Sequence, residues 1–198
     1  MMELDADIVT YMDAHGGMLT AADMKQLGYS RGMLHVYSRA GLLERYECGF
    51  YTRPGALIDD TVYMQRKFPA IIFSHESALY LHGLTERAPF RHSVTIPSTT
   101  KLPRSLAGAC SCYYIEPSLH EIGLTRLRTT QGNIVRAYDA ERCICDLLRS
   151  RNRVDTECYT AALKLYFSSK EKNLHRLADY AAKFDVLNKL TPYLEVLL

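Results

Sequence analysis

Four polar side chains recur on one side of a predicted helix near the amino terminus, and two of them are arginines. Arg31, His35, Ser38 and Arg39 are separated by four, three and one residues, which places them on a single stripe of an α-helix. An arginine can donate two hydrogen bonds to a guanine edge or hold a phosphate, and a helix fits the major groove of DNA. The stripe therefore predicts a contact with nucleic acid.

Further polar and basic residues surround this stripe, and we expect the whole set to divide between two tasks. Residues at the helix start would reach base edges, while residues around it would hold phosphates and fix the register on the duplex. The first group is Ser30, Arg31 and His35; the second is Lys25, Arg39, Arg45 and Arg53, and Ser38 completes the predicted DNA-binding set. The alternative is an ordinary solvated helix face on a protein-binding domain.

The elements that must position these residues lie within residues 18–54, where the pattern predicts two short helices, a strand and a glycine-tipped β-ribbon. Thr20 can cap the first helix with Asp23 at its third position, and Gly28 ends it. Ser30 is predicted to cap the second helix, which runs to Ala40. The side predicted to be buried carries Met33, Val36, Tyr37 and Ala40.

The ribbon is predicted from residues 42–46 and 50–53, which flank Glu47, Cys48 and Gly49. A helix over residues 5–15 precedes these elements. Together they predict a winged helix-turn-helix domain over residues 1–54, followed by a larger mixed α/β domain over residues 55–198 with a helical carboxy-terminal region. The predicted fold class is α+β. Within the tail, helices are expected to break at residues 168–169 and again at Thr191 and Pro192.

Charge is distributed unevenly along a chain whose net charge is only +2 over 198 residues. Residues 25–53 hold five Lys or Arg and two acidic residues, whereas residues 1–24 hold five acidic residues and no Lys or Arg. Binding to a polyanion must therefore come from a local patch and not from the field of the whole protein. The carboxy-terminal helices are also basic, and either a solvated face or a second binding surface would explain them.

Signals for an enzyme, a metal or a cofactor are weak. The two Cys-x-Cys pairs lack the spacing of structural zinc sites, so buried thiols are favoured over a metal there. His75 and His82 are seven residues apart, which leaves a metal as the lesser alternative to packed side chains. No phosphate-binding loop, dinucleotide fingerprint or serine-hydrolase motif is present. We therefore expect no catalytic residue, no cofactor and no enzymatic activity.

The chain begins without a secretory signal and has no apolar run long enough to span a membrane, so we expect a cytoplasmic protein with no membrane partner. No heptad or long apolar helix predicts an obligate dimer. The expected state is therefore a monomer in solution, with two copies meeting on an inverted repeat of DNA.

Three sequence blocks occur in an order that resembles a known family. They are GLLER with GFY at residues 41–45 and 49–51, FSHESALYLHGLT at residues 73–85, and YDAERCICDLL at residues 138–148. This arrangement resembles the AbiEi-like antitoxins of bacterial abortive-infection systems, which are type IV toxin–antitoxin systems that resist phage. The two later blocks are more specific than the winged helix, which many regulators share.

The resemblance implies a function in two parts. The amino-terminal domain would bind inverted repeats in its own promoter and repress the operon, while the second domain would counteract a nucleotidyltransferase-like toxin without a stable complex. One alternative is an ordinary winged-helix transcriptional regulator whose second domain senses a ligand or a protein partner. A protein-binding adaptor without DNA contact and an enzyme acting on nucleic acid are the others.

Overall fold

The chain separates into two compact units, residues 1–63 and 64–198. The computed structural model describes residues 2–197, with side chains through residue 195. The division falls inside helix α4 (Asp60–Lys67), later in the chain than the 54/55 boundary expected from the sequence. The whole is a mixed α/β structure with two separate sheets, in agreement with the predicted α+β class.

The amino-terminal unit combines three helices with a small antiparallel sheet. In chain order its elements are α1 (Ala6–Ala14), β1 (Met18–Thr20), α2 (Ala21–Gln26), α3 (Gly32–Arg39), β2 (Glu44–Glu47) and β3 (Phe50–Thr52). Strand β3 lies in the middle, between β1 and β2. The three helices enclose one core, whose fully buried members are Ile8, Met12, Leu19, Met24, Leu34, Tyr37 and Leu43.

Local sequence explains where helix α2 begins. The backbone N–H of Asp23 donates to the Thr20 hydroxyl at 3.2 Å, and the Thr20 N–H donates to the Asp23 carboxylate at 2.7 Å. This reciprocal pair is the predicted capping box, and it satisfies two backbone donors that a helix start otherwise leaves without partners. The prediction for this helix start is confirmed.

The carboxy-terminal unit is built on a five-stranded mixed sheet. Its strands are β4 (Ile72–Phe73), β5 (His92–Pro97), β6 (Cys110–Ile115), β7 (Leu124–Arg128) and β8 (Ile134–Tyr138), in the spatial order β6-β5-β4-β8-β7. Strands β5 and β6 are parallel, as are β4 and β8, while β7 and β8 form the predicted antiparallel hairpin. The two-residue strand β4 at the centre of the sheet was not predicted, because two residues carry no periodicity.

Five helices complete this unit: α5 (His75–Leu81), α6 (Ala140–Arg149), α7 (Thr156–Ser168), α8 (Leu174–Lys183) and α9 (Leu187–Leu197). Short 3-10 turns occur at Arg104–Leu106, Pro117–Leu119 and Arg151–Arg153. Helix α6 is buried along nearly its whole length, and it packs against α5, α7 and α8. It is the helix around which the unit is assembled.

The predicted helix break at Thr191 and Pro192 is wrong. Pro192 lies inside α9, and the Thr191 hydroxyl donates to the Leu187 carbonyl at 3.0 Å within the same helix. The chain instead breaks at Asp185, which adopts a left-handed φ of +53°. The Val186 N–H donates to the Ala181 carbonyl at 2.8 Å and the Asp185 N–H donates to the Ala182 carbonyl at 3.3 Å. A local backbone cap with a left-handed residue therefore ends α8, and the Val186 side chain that follows it is buried.

Candidate nucleic-acid interface

Helix α3 presents a basic row to solvent. Leu34 and Tyr37 point into the core with 3% and 2% of their surface exposed, which turns Arg31, His35 and Arg39 outward, and all three are exposed. These three residues follow one another at intervals of four, so they form one row along the helix. We call Arg31, His35 and Arg39 the basic row.

The buried face of α3 differs from the predicted one. Val36 and Ala40 were expected to be buried, but Val36 is 39% exposed and Ala40 is exposed, while Met33 is only partly buried. The reason is that Leu34 and Tyr37 together define the inward direction, which is rotated by nearly one residue position from the expected one. The outer face of α3 therefore carries an aliphatic side chain beside the basic row.

The start of α3 also differs from the prediction. Ser30 was expected to cap the helix, but Arg31 occupies the N-cap position and makes no side-chain capping bond. The backbone N–H of Met33 donates to the Ser30 carbonyl at 3.1 Å, so a main-chain bond closes the first turn. The Ser30 side chain is exposed beside that of Arg31, whereas Ser38 is half-buried.

The β2–β3 ribbon carries the next basic side chain. Gly49 turns the ribbon with a φ of +85°, a conformation that favours glycine. All four residues of β2 are exposed. The Glu44 carboxylate accepts the Gly55 N–H at 3.2 Å, and the Tyr46 hydroxyl donates to Asp60 at 2.9 Å. Arg45 lies between these two residues, pairs with Tyr51 of β3 just before the register of the ladder shifts, and is exposed.

The remaining two predicted residues have unequal surroundings. Lys25 lies in the last turn of α2 and is exposed. Arg53 instead forms an ion pair with Asp13 of α1, and the two side chains are 43% and 56% exposed. The positive charge of Arg53 is therefore partly offset within the unit, although the local charge pattern had grouped it with the other phosphate contacts.

The acidic residues of the amino-terminal segment hold the helices together. Asp5 accepts a hydrogen bond from the Tyr37 hydroxyl at 2.9 Å, and Asp7 accepts one from Tyr29 at 2.8 Å. Burial and the bond to Asp5 raise the pKa of Tyr37, so its hydroxyl remains a donor at neutral pH. These bonds join α1 to α3 and to the turn before it. They link residues 22 and 32 positions apart, so no local pattern could indicate them.

In the carboxy-terminal unit, the two later sequence blocks are neighbours in the core. Helix α5 of the first block packs against α6 of the second, and His82, just after α5, makes a 2.9 Å hydrogen bond with the Tyr138 carbonyl. Phe73 at the end of β4 pairs with Ala137 of β8, the residue before the second block. The predicted left-handed glycine after α5 is confirmed at Gly83, with a φ of +69°. These blocks therefore contribute to the packing of strand, helix and sheet.

His75 is a packed side chain with both ring nitrogens in hydrogen bonds. Its Nδ1 lies 2.9 Å from the Ser74 hydroxyl and its Nε2 lies 3.1 Å from the Ser150 hydroxyl. The ring stacks on Tyr113 with centroids 3.5 Å apart. Burial lowers the pKa of His75 to about 4, so it is neutral at physiological pH. Because these contacts occupy its ring nitrogens, the arrangement favours a structural role.

The six cysteines are all free thiols, of which Cys48 is exposed. Burial raises the pKa of Cys110 to about 11 and that of Cys145 to about 12, which makes these thiols poor nucleophiles. Within the described residues, no group of three or more His, Cys, Asp or Glu side chains is arranged to hold a metal ion. Across residues 2–197, none of the helices is both long and apolar enough to cross a membrane.

Comparison with known proteins shows a shared fold. No protein-family model matches the chain. No curated protein matches it either. Among solved structures, the crystal structure of the RV2827C protein from Mycobacterium tuberculosis is similar, with a TM-score of 0.61 and 16% identical residues. The similarity covers 88% of this chain and 70% of that chain. At this level of identity the similarity concerns the fold alone.

Proposed function

We propose that the amino-terminal unit is a winged helix-turn-helix domain that binds double-stranded DNA, with α3 in the major groove and the β2–β3 ribbon as the wing. The order of helices and strands, with β3 between β1 and β2, supports this proposal. The observation that carries it is the basic row, which is exposed along α3 while Leu34 and Tyr37 of the same helix are buried in the core. A helix held by one face and basic on the other suits a groove lined by phosphates.

The proposed contacts differ in kind. Arg31 and His35 near the start of α3 would reach base edges, with Ser30 beside them, because recognition helices contact bases through their amino-terminal residues. Lys25, Arg39 and Arg45 would hold phosphates. Arg53 would contribute less, since it already pairs with Asp13.

We further propose, from the family resemblance, that the chain is an AbiEi-like antitoxin in the bacterial cytoplasm. It would repress its own operon by binding inverted repeats, while the carboxy-terminal unit counteracts a nucleotidyltransferase-like toxin without forming a stable complex. The protein itself would catalyse no reaction. The two blocks that carry the resemblance contact each other through the packing of α5 against α6 and through the hydrogen bond between His82 and Tyr138, which is compatible with both blocks belonging to one core.

A gel-shift assay with DNA from the region upstream of the gene tests the DNA-binding part. Replacing Arg31 and Arg39 together by alanine should weaken binding, by roughly 1 to 3 kcal/mol for an arginine that touches a base. The double variant Arg104→Ala with Arg126→Ala also removes the charge of two arginines, from exposed positions on the other unit, and should bind more tightly than the α3 variant. Unchanged affinity in the α3 variant would refute the proposed interface.

A co-expression experiment tests the separation of the two functions. The Arg31→Ala, Arg39→Ala protein, expressed from an unrelated promoter together with the toxin encoded by the neighbouring gene, should lose repression but still protect the cell. Protection that disappears along with DNA binding would contradict separate roles for the two units.

The alternative of a ligand-sensing regulator is favoured by one observation. A cavity of about 510 Å³ in the carboxy-terminal unit is lined by residues that include Arg151, Tyr159, Lys164 and Tyr193, a size that small-molecule sites commonly have. A neighbouring gene that encodes no nucleotidyltransferase-like protein, together with DNA affinity that changes when a small anion is added, would support this alternative.

A further inference from the structure

Val36 is an aliphatic side chain on the part of α3 that faces solvent. It is 39% exposed, and the residues one turn before and after it, Gly32 and Ala40, have too little side chain to cover it. A single exposed aliphatic residue is common on protein surfaces. Val36 differs from such a residue because two members of the basic row are its neighbours. Arg39 lies one turn away from it, and His35 precedes it in the chain.

The neighbouring charges limit what Val36 can contact. Helix α3 contains no acidic residue, and the nearby Asp5 and Asp7 accept hydrogen bonds from Tyr37 and Tyr29. A protein partner held by apolar contacts would need a patch of several hundred Å², far more than one valine offers. An anionic partner that carries small, isolated apolar groups fits better. In the major groove of DNA, the 5-methyl group of thymine is such a group.

We infer that Val36 contacts the 5-methyl group of a thymine in the DNA site and so helps to set its base preference. This inference rests on the proposed function, because it requires α3 to lie in the major groove. Arginines of the basic row would hydrogen-bond to guanine or phosphate, and Val36 would add a requirement for thymine at a neighbouring base pair. Base preference on this helix would thus come from an apolar contact as well as from charge.

The test replaces thymines in the upstream DNA by uracil one at a time, which removes the methyl group and keeps the base pair. With the wild-type protein, at least one substitution per half-site should weaken binding about three- to fivefold, the effect of burying one methyl group. Val36→Ala should bind the unmodified site more weakly by a similar factor and be insensitive to uracil at that position. Because Val36 is exposed and alanine favours helices, this variant should fold normally.

Leu57→Ala is the matched control, since Leu57 is a 92% exposed aliphatic residue of the same unit outside α3. It should keep both the affinity and the sensitivity to uracil. Two results would overturn the role of Val36 and leave the proposed function standing. One is binding that depends on Arg31 and Arg39 but on no thymine methyl group. The other is a sensitivity to uracil that persists in Val36→Ala. Wild-type protein that fails to bind the upstream DNA at all would overturn both.

Discussion

The guanidinium of Arg142 donates from Nε to the Asp146 carboxylate at 3.1 Å, one turn further along α6, and both side chains are fully buried. The guanidinium also donates to the carbonyls of Leu119 and Ile122 at 3.0 and 2.7 Å. The rings of Tyr138 and Phe184 lie about 4 Å from it. Arg142 therefore joins α6 to the chain before β7, to the end of β8 and to the residue that follows α8.

Replacing Arg142 should strongly destabilise the folded protein. Arg142→Ala should lower the free energy of unfolding by about 3 to 5 kcal/mol, because the Asp146 charge would stay buried without its main partner. Arg149→Ala is the control: Arg149 contacts the same carboxylate at 3.5 Å with 34% of its side chain exposed, and it should cost below about 1 kcal/mol. Urea unfolding followed by circular dichroism measures both, and equal losses would contradict the assigned role of Arg142.

Gly123 lies against the same arginine, and its substitution by alanine should strongly lower the free energy of unfolding. Its φ is +78°, and a Cβ at this position would lie 2.6 Å from Cβ of Arg142. Gly123→Ala should therefore cost about 3 kcal/mol or more, from backbone strain and overpacking together. Gly132 has a similar φ of +88° with open space around it, so Gly132→Ala should cost only about 1 to 2 kcal/mol. Thermal denaturation of the two variants compares them, and a smaller loss at Gly123 would count against this packing.

His75 should make stability depend on pH in mildly acidic solution. Burial lowers its pKa to about 4 in the folded state, below the usual value of about 6.5 that the unfolded chain retains. The contribution of neutral His75 to the free energy of unfolding is complete above pH 6.5. It is lost as the pH falls toward 4, because in this range only the unfolded state takes up the proton. Between pH 7 and pH 5 this loss amounts to about 2 kcal/mol.

His75→Asn tests this dependence, since asparagine tolerates the left-handed φ of +46° at this position. The variant should be less stable than the wild type at pH 7, and the difference should shrink at pH 5. Urea midpoints at the two pH values give the comparison. A difference that is the same at both pH values would show that His75 does not titrate as described.

The pairing of Arg53 with Asp13 predicts a gain of DNA affinity. Asp13→Asn should leave stability within about 1 kcal/mol of the wild type, because the ion pair is exposed. It should also release Arg53 to a phosphate, raising affinity and steepening the dependence of log K on log salt by about 0.9. Glu3→Gln makes the same change of net charge at another exposed position and should not alter the slope. If the two variants changed the affinity and the salt slope equally, the gain would come from the change of net charge and not from the release of Arg53.

Features that depend on neighbouring residues could be predicted from the sequence, and features that depend on distant contacts could not. The capping box of Thr20 and Asp23 spans three residues, so its chemistry is visible in the chain. The orientation of α3 depends on how Leu34 and Tyr37 enter a core shared with residues of α1, β1 and α2. That arrangement is tertiary, which is why Val36 was expected on the wrong face.

The same distinction applies to the candidate site. The exposure of Arg31, His35 and Arg39 follows from helical periodicity and was predicted. The partner of Arg53 lies 40 residues earlier in the chain, and charge counting along the sequence cannot find it. The break at Asp185 was missed for a different reason, since the left-handed position of the helix cap is occupied by an aspartate and not by the usual glycine, and the sequence pattern pointed instead to Pro192.

Tyr37 connects the inner face of α3 to Asp5, while every member of the basic row lies outside the core. Substitutions at Arg31, His35, Val36 or Arg39 therefore alter what the helix touches without disturbing what anchors it. In evolutionary terms, substitutions on the outer face can change which ligand the helix binds while the free energy of folding changes little. Related chains that keep the Asp5 and Tyr37 pair while differing along this row would be expected to share a fold and to diverge in what they recognise.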